Sequence, residues 1–406
     1  MTTELRARCC VVGGGPAGLM LSLLLARAGV EVVALEKHAD FLRDFRGDTI
    51  HPSTMEALND LGLLEAFLRL PHQKVETLSA IVEDETFRVA DFRRLNCTKR
   101  FIALMPQWDF LDFLAAEAGR YPGFRLVRRA EADGLLRDAS GRVTGVTAKT
   151  PDGPLEVRAD LVVGADGRRS TVRSAAGLEV ETLGAPMDVM WFRVSRAESD
   201  GAATAGRFSR DGLLVAINRQ DYWQCAYVIA KGQGDAVKAE GLAAFRARVA
   251  RLAPFPADRT QEIDDLDRVS LLSVAVDRLK RWHMPGLLCI GDAAHAMSPI
   301  GGVGVNVAIQ DAIATANILA ASLRLGPVGE AELARVQARR MLAVRITQAM
   351  QVFMQRNVVA PTLGAGRPLK APLPLRLINR FPALQAIPAH LVGVGVRPER
   401  VRSPAA

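Results

Sequence analysis

The apolar positions near the start of the chain follow two different periods. Residues 9–12 form a continuous apolar run typical of a buried strand, and residues 19–27 then carry apolar side chains at helical spacing. Gly29 marks the end of that helix, and residues 30–35 form a second predicted strand that ends at Glu36. The segment therefore predicts strand, helix and strand, the opening unit of an α/β fold.

A second pattern of this kind follows the apolar run at residues 161–163. Asp166 and Gly167 predict a turn after that strand, and Ser170 predicts the N-cap of a short helix that reaches Arg173. Taken alone, this segment describes an ordinary connection between a strand and a helix, with basic side chains facing water.

The third pattern is GDAAHAMSPIGGVGVNVAIQDA, which opens at Gly291. Gly301, Gly302 and Gly304 remove side chains just before a helix predicted to start at Asn306. Loops rich in glycine are common before helices. A helix start also exposes unpaired N–H groups and the positive end of the helix dipole, so the pattern favours a close, electron-rich ligand as well.

Composition narrows the class of protein. The 406 residues are 49% hydrophobic and 24% charged, which is typical of a globular protein with one large domain or two domains. The net charge of +8 is scattered and aromatic residues are only 5%, so we predict an anionic small molecule or dinucleotide as ligand and no nucleic acid.

The cysteines and the lengths of the apolar runs indicate the cellular compartment in which the protein is expected. The five cysteines are an odd number without CxxC spacing, which predicts neither a disulfide framework nor a metal site. The N-terminal residues lead straight into a predicted strand, and no apolar run reaches the ~20 residues that span a bilayer. We therefore expect a cytoplasmic protein.

The turn between the first strand and the first helix reads Gly13-x-Gly15-x-x-Gly18. In this context the first glycine permits the turn, the second lets the backbone approach a pyrophosphate, and the third allows close packing of helix on strand. Glu36 can accept hydrogen bonds from ribose hydroxyls and repels a 2′-phosphate, so FAD or NAD is favoured over NADP at this place.

Together, and in this order, the three patterns resemble the class A flavoprotein monooxygenases, the FAD-dependent aromatic hydroxylases similar to p-hydroxybenzoate hydroxylase. The resemblance covers about residues 8–325 and departs at Val303, where the family often has glutamine. It implies a Rossmann-like FAD-binding domain at 1–70, 98–180 and 281–325. It also implies an inserted mixed or antiparallel β-sheet substrate domain at 71–97 and 181–280, and a C-terminal helix and Pro-rich tail at 326–406.

The resemblance implies a set of residues that bind the cofactor. Asp292 would hydrogen-bond the ribityl chain, Pro299 would lie beside the flavin ring, and residues 304–306 would offer backbone amides to its pyrimidine edge. Asp166 would approach the pyrophosphate with Arg168 or Arg169 near the phosphate charge. The full predicted set is Gly13, Gly15, Ala17, Gly18, Glu36, Lys37, Arg46, Gln107, Asp166, Asp292, Pro299, Gly304, Val305 and Asn306.

The reaction implied is hydroxylation of an aromatic or polyketide-like phenol with NADH or NADPH and O2, by way of a flavin C4a-hydroperoxide and without a metal. Arg46, His51 and Tyr227 are the catalytic candidates. Alternation along strand-like runs at 188–194, 212–218 and 222–230 offers further substrate contacts, and residues 219–221 predict a hairpin. These contacts are Trp191, Arg193, Trp223 and Gln224.

Other interpretations of the sequence stay open. A reductase, dehydrogenase or oxidase of the same fold shares the first pattern, and a protein that binds FAD without turnover would also contain it. A flavin-dependent halogenase would normally show a WxWxIP motif, which this sequence lacks. For the tail, packing or an oligomer contact such as a homodimer is favoured over membrane association, because prolines interrupt any long amphipathic helix.

Overall fold

The computed structural model describes residues 2–42, 49–200, 204–364 and 366–406. The strands, in chain order, are β1 Thr3–Val12, β2 Val32–Glu36, β3 Thr49–Ile50, β4 Gln73–Val75, β5 Thr77–Val82, β6 Glu85–Asp91, β7 Ile102–Leu104, β8 Phe124–Arg128, β9 Glu131–Arg137, β10 Val143–Thr150, β11 Gly153–Gly164, β12 Val180–Thr182, β13 Met187–Ser195, β14 Ala205–Ser209, β15 Gly212–Asn218, β16 Tyr222–Ala230, β17 Ser270–Leu272, β18 Asp277–Leu279, β19 His283–Met284, β20 Leu287–Cys289 and β21 His295–Ala296. The α-helices are α1 Pro16–Arg27, α2 Pro52–Asp60, α3 Leu64–Phe67, α4 Gln107–Ala118, α5 Thr171–Ala175, α6 Gly234–Ala239, α7 Leu242–Leu252, α8 Gly304–Leu325, α9 Glu330–Met354, α10 Ala360–Leu363, α11 Leu373–Arg380 and α12 Ala386–Gly393.

The first sheet has the strand order β19-β20-β11-β1-β2-β8 in the described part of the chain. β1 pairs in parallel with β2 and β11, and β11 pairs in parallel with β20, so these strands place their carboxyl ends at one edge. β9 and β10 extend the sheet as an antiparallel hairpin beside the first half of β11. The predicted opening unit of strand, helix and strand is confirmed, with the helix starting at Pro16.

Helices cover this sheet and complete its core. α1 packs against α8 and α4, and α8 packs against α9. The helical stretch Ile300–Leu325 is long and apolar enough to cross a membrane, but 72% of its most apolar window is buried inside the protein. Its apolar character therefore reflects packing against α1 and α9.

The second large sheet has the order β17-β13-β16-β15-β14-β5-β6 among the described residues. The predicted hairpin at residues 219–221 is confirmed, because β15 and β16 pair antiparallel on either side of it. One face of this sheet packs against α7. The other face packs against Ile300 and the segment that contains Val359 and Leu363. β4, which falls in the first predicted insertion, instead joins a small sheet with β3 and β7.

The C-terminal segment folds back across both sheets. α11 and α12 pack on β6 of the second sheet. Further along, Arg400 pairs with Asp60 of α2, and the backbone N–H of Ala406 donates to the carbonyl of Arg27 at 2.9 Å. The predicted Pro-rich tail is therefore an integral part of the packing.

Two glycines of the first turn have different steric surroundings. A Cβ atom on Gly18 would lie 1.9 Å from the carbonyl oxygen of Gly13, so α1 can approach β1 only without a side chain there. A Cβ atom on Gly15 would meet nothing within 4 Å. Close helix packing thus depends on Gly18, whereas Gly15 borders open space.

Replacing Gly18 by Ala should therefore lower the free energy of unfolding of the FAD-free protein by about 2–4 kcal/mol, because α1 must move away from the turn. Gly15→Ala is the matched control and should cost under about 1 kcal/mol, as expected for a glycine-to-alanine change at an N-cap. Urea unfolding followed by circular dichroism measures both. Equal losses in the two variants would contradict the steric assignment.

Candidate active site

The three sequence patterns meet at the carboxyl edge of the first sheet. Val12 and Gly164 are register partners at the ends of β1 and β11, and the N–H of Ala165 donates to the carbonyl of Val12 at 2.8 Å. The N–H of Ile290 donates to the carbonyl of Gly164 at 2.9 Å. A Cβ atom on Gly291 would lie 3.2 Å from that of Ala17 in α1. The third pattern thus contacts both of the others.

Two long helices start at this edge without a side-chain cap. The N-cap of α1 is Gly15, which has no side chain. The N-cap of α8 is Val303, whose side chain makes no capping hydrogen bond. Gly167 has a φ of +84° and would place a Cβ atom in open space. Uncapped helix starts next to glycine turns leave backbone donors and positive dipole ends available to an anionic or electron-rich ligand.

Arg168 links the second pattern to the third. Its Nε donates to Oδ2 of Asp292 at 2.9 Å, and its Nη2 donates to the carbonyl of Met297 at 3.1 Å. The Nη1 atom is buried and has no hydrogen-bond partner among the described residues. Arg168 therefore orients Asp292 and keeps one guanidinium donor for a ligand.

The carboxylates of Asp166 and Glu36 accept hydrogen bonds from nearby protein groups. Asp166 accepts from the Ser170 hydroxyl at 2.5 Å and from the N–H of Val172 at 3.2 Å, while burial raises its pKa. The predicted cap is confirmed, since the Ser170 hydroxyl accepts from the N–H of Arg173. The buried Glu36 carboxylate accepts from the N–H of Gly14 at 3.0 Å. Both acids thus shape the turns around the edge.

The other cofactor candidates differ in exposure. Gln107 begins α4, as predicted, and is half-buried, whereas Lys37 is exposed just after β2. Pro299 and Val305 are half-buried on either side of the glycine loop. Arg46 lies outside the described residues.

A buried charge network, which the sequence patterns did not predict, supports the third pattern. The Asp311 side chain is 0% exposed; its Oδ2 accepts from the N–H of Gly291 at 3.1 Å and contacts His295 Nε2 at 2.6 Å. Arg340 of α9 donates from Nε to Oδ1 of the same carboxylate at 2.9 Å and also approaches Glu399. Burial by itself raises the pKa of Asp311, but His295 and Arg340 more than offset it and hold that pKa below its usual value.

Three glutamines of α9 and the turn after it hold the chain between His295 and Ile300. Gln351 exchanges hydrogen bonds with the backbone of Ser298 at 3.0 and 2.9 Å, and Gln355 donates to the Ser298 hydroxyl at 2.9 Å. Gln348 donates to the carbonyl of Ala296 at 3.1 Å. The spacing of these glutamines, which places them on one helix face, is the signal in the sequence that could have revealed this contact.

His51 and Asn306 are part of a second hydrogen-bond network in the site. The Asn306 amide oxygen accepts from the His51 N–H at 3.0 Å and from the Thr54 hydroxyl at 2.7 Å. The His51 ring Nδ1 lies 2.7 Å from the carbonyl of Val392 in α12, and burial lowers its pKa to about 4. His51 is 0% exposed, so its contacts are those of a residue that joins α2, α8 and α12 rather than those of an exposed catalytic base.

The second sheet separates the predicted substrate contacts onto two faces. Tyr227 and Trp223 lie in the cluster covered by α7, where Tyr227 packs edge-on against Phe245. Tyr227 therefore lies on the face opposite to the one that packs against Ile300, and burial raises its pKa, so this position does not support the predicted catalytic role. Trp191 lies on the opposite face, in the cluster that includes Ile300, and its indole N–H is buried without a partner among the described residues.

Strand alternation places two further predicted substrate contacts on the same face as Trp191. Arg193 shares the face of Trp191 on β13 and is exposed. Its register partner on β16, Gln224, accepts a hydrogen bond from Arg219 Nε at 2.8 Å.

In the described part of the chain no group of three His, Cys, Asp or Glu side chains could hold a metal ion.

Comparison with known proteins identifies the family. Residues 6–349 match the family described as FAD binding domain. The chain is 33% identical over 398 residues to 6-methylpretetramide 4-monooxygenase of Streptomyces rimosus, and the match covers 97% of this chain and 94% of that protein. The chain belongs to the class A FAD-dependent aromatic hydroxylases.

A second relative agrees with this family, and a solved structure shares the fold. This chain is 30% identical to rifampicin monooxygenase of Streptomyces venezuelae over 318 residues, and the match covers 74% of this chain and 61% of that protein. The crystal structure of PqsL, a probable FAD-dependent monooxygenase from Pseudomonas aeruginosa, has a TM-score of 0.73 at 22% identity and covers 89% of this chain and 99% of that one. The structural likeness extends the agreement to the fold.

FAD is the cofactor of this family, with NAD(P)H as reductant, and the geometry of the edge fits FAD. The open space beside Gly15, the uncapped starts of α1 and α8, and the spare guanidinium donor of Arg168 suit a pyrophosphate and a polar flavin edge.

Replacing Asp311 by Asn should lower the free energy of unfolding at neutral pH by about 3–5 kcal/mol, because the buried Arg340 loses the nearer of its two carboxylate partners. The pKa of Asp311 lies below its unfolded value, so its contribution is present above about pH 4 and is lost as the pH falls through the folded pKa. Urea unfolding at several pH values should show the two proteins converging in acid. Asp160→Asn, which removes a partly exposed carboxylate, is the control; a similar loss there would contradict the assignment.

Proposed function

We propose that this hydroxylase adds one oxygen atom to a polycyclic, polyketide-like phenol. The observation that carries the proposal is the match to 6-methylpretetramide 4-monooxygenase, which runs over nearly the whole length of both chains. A match of that extent includes the second sheet, where a substrate would be bound, as well as the edge that fits FAD. The apolar face around Trp191 supports a flat aromatic substrate.

We assign the cofactor contacts to the carboxyl edge of the first sheet. Backbone groups around Gly15 and Gly167 would bind the pyrophosphate, with the spare Arg168 donor for its charge. Asp292, oriented by Arg168, would accept hydroxyl groups of the ribityl chain. The start of α8 would stabilise negative charge on the reduced ring through its backbone donors and dipole.

The stoichiometry of the reaction shows what FAD supplies and what the protein must do. One oxygen atom of O2 enters the ring, the other leaves as water, and NAD(P)H supplies the two electrons. When bound, FAD accepts hydride and activates O2. The chain must orient the phenol and exclude water, for which the face of β13 and β16 that carries Trp191 is suited. With Tyr227 on the far face and His51 fully buried, no base is assigned among the described residues.

Rapid-mixing absorbance tests the proposed reaction and substrate class. The FAD-loaded enzyme is reduced anaerobically with NADH or NADPH in the presence of single-ring, two-ring and four-ring phenols, and then mixed with ¹⁸O₂. We expect a substrate that speeds flavin reduction at least about tenfold and gains one ¹⁸O atom, with the largest effect for polycyclic phenols. Labelled product from single-ring phenols alone would refute the substrate class, and reduction without labelled product from any phenol would refute hydroxylation.

Trp191→Phe tests the assignment of the substrate face. The change keeps an aromatic surface but removes the unpartnered N–H, so we expect KM for the phenol to rise by about fivefold to tenfold, as for loss of one hydrogen bond. Trp223→Phe is the matched control on the opposite face and should leave KM within about twofold. An unchanged KM in the Trp191 variant, or an equal rise in both, would exclude the N–H as a substrate contact.

A further inference from the structure

Basic residues are scattered along the whole chain, but one segment near the C-terminus has no acidic residues to balance them. Residues 333–398 contain ten Lys and Arg side chains and no Asp or Glu, so this segment accounts for more than the whole +8 excess. Arg339 and Arg340 are paired with Glu399. In contrast, Arg376 and Arg380 on α11 are exposed and have no ion-pair partner in the described part of the chain.

The same segment exposes a ridge of large apolar side chains. Every residue of the ridge is more than a third exposed. Leu373 and Leu377 are four residues apart and share one side of α11, and the other members follow in the turn after that helix and at the start of α12. The ridge consists of Leu373 (68%), Leu377 (43%), Phe381 (54%), Leu384 (36%) and Ile387 (59%). At helical spacing Arg376 and Arg380 lie along one border of the ridge.

The ridge rests on a packed base. Leu375, on the opposite side of α11, packs with Phe87 and Val82 of the second sheet, and Asn379 accepts from the backbone N–H of Arg88 at 3.0 Å. Ala389 of α12 is fully buried against Phe92 and its neighbours. The exposed side chains are therefore presented in a fixed geometry, and burying them needs no unfolding of the segment.

We propose that this ridge binds the surface of an anionic lipid bilayer. Bordering arginines and protruding Leu, Ile and Phe side chains are the composition of a helix that lies in the headgroup region with its apolar face inserted shallowly. A second copy of the chain fits less well, because a twofold contact would oppose the same arginines with no acid in the segment to neutralise them. An acidic protein would need a surface shaped to these protruding side chains, whereas a bilayer does not.

Co-sedimentation with vesicles of phosphatidylcholine, alone or mixed with phosphatidylglycerol, tests the proposal on the full FAD-loaded enzyme. We expect binding only to the anionic vesicles, weakened by salt. Leu377→Gln combined with Phe381→Gln should reduce the partition coefficient at least about tenfold, since both inserted side chains are lost. Arg376→Gln combined with Arg380→Gln should reduce it by roughly fivefold for each arginine.

Leu325→Gln is the matched control, because Leu325 is 86% exposed but lies outside the ridge. It should bind vesicles as the parent protein does, and circular dichroism and FAD absorbance should be unchanged in all variants. Absence of vesicle binding, or equal binding by the ridge variants and the parent, would overturn the proposal. A ridge-dependent dimer in sedimentation velocity, without vesicle binding, would overturn it in favour of self-association. Neither result bears on hydroxylation.

Discussion

The site depends on one buried negative charge. Asp311 is 0% exposed and binds the backbone N–H of Gly291, which opens the loop that carries Asp292. A carboxylate can be kept charged there only because His295 and Arg340 face it. The position of the cofactor loop is therefore fixed by an ion pair between α8 and α9, and α9 is as much a part of the site as the glycines are.

The same loop is held by backbone contacts from three directions. The second pattern contacts it through Arg168, the glutamines of α9 contact it around Ser298, and α12 reaches it through the tie from Val392 to His51. Arg168 and Gln351 also satisfy main-chain groups of the loop, since Arg168 donates to the carbonyl of Met297 and Gln351 accepts from the N–H of Ser298. Gly301 and Gly302, both at positive φ, have no side chains of their own with which to fix the shape of this loop.

Much of this architecture could be predicted from local pattern. The first strand, helix and strand, the Ser170 cap, the start of α4 at Gln107 and the hairpin after Asn218 follow from periodicity and turn residues, and the structure confirms them. The family follows from three patterns in order. What could not be predicted is long-range: Asp311 and Arg340 look like ordinary helix charges in the sequence, and alternation alone could not reveal that Tyr227 faces α7 while Trp191 faces the glycine loop.

The Asp311 network also constrains the order of events during synthesis. Its partner Arg340 and the neighbouring Glu399 follow it by tens of residues, and both lie beyond every element of the first sheet. While the ribosome is still translating that region, α8 contains a carboxylate that has not yet met Arg340. The cofactor loop should therefore reach its final shape only after α9, which carries Arg340, has left the exit tunnel, so FAD capture should follow the synthesis of α9.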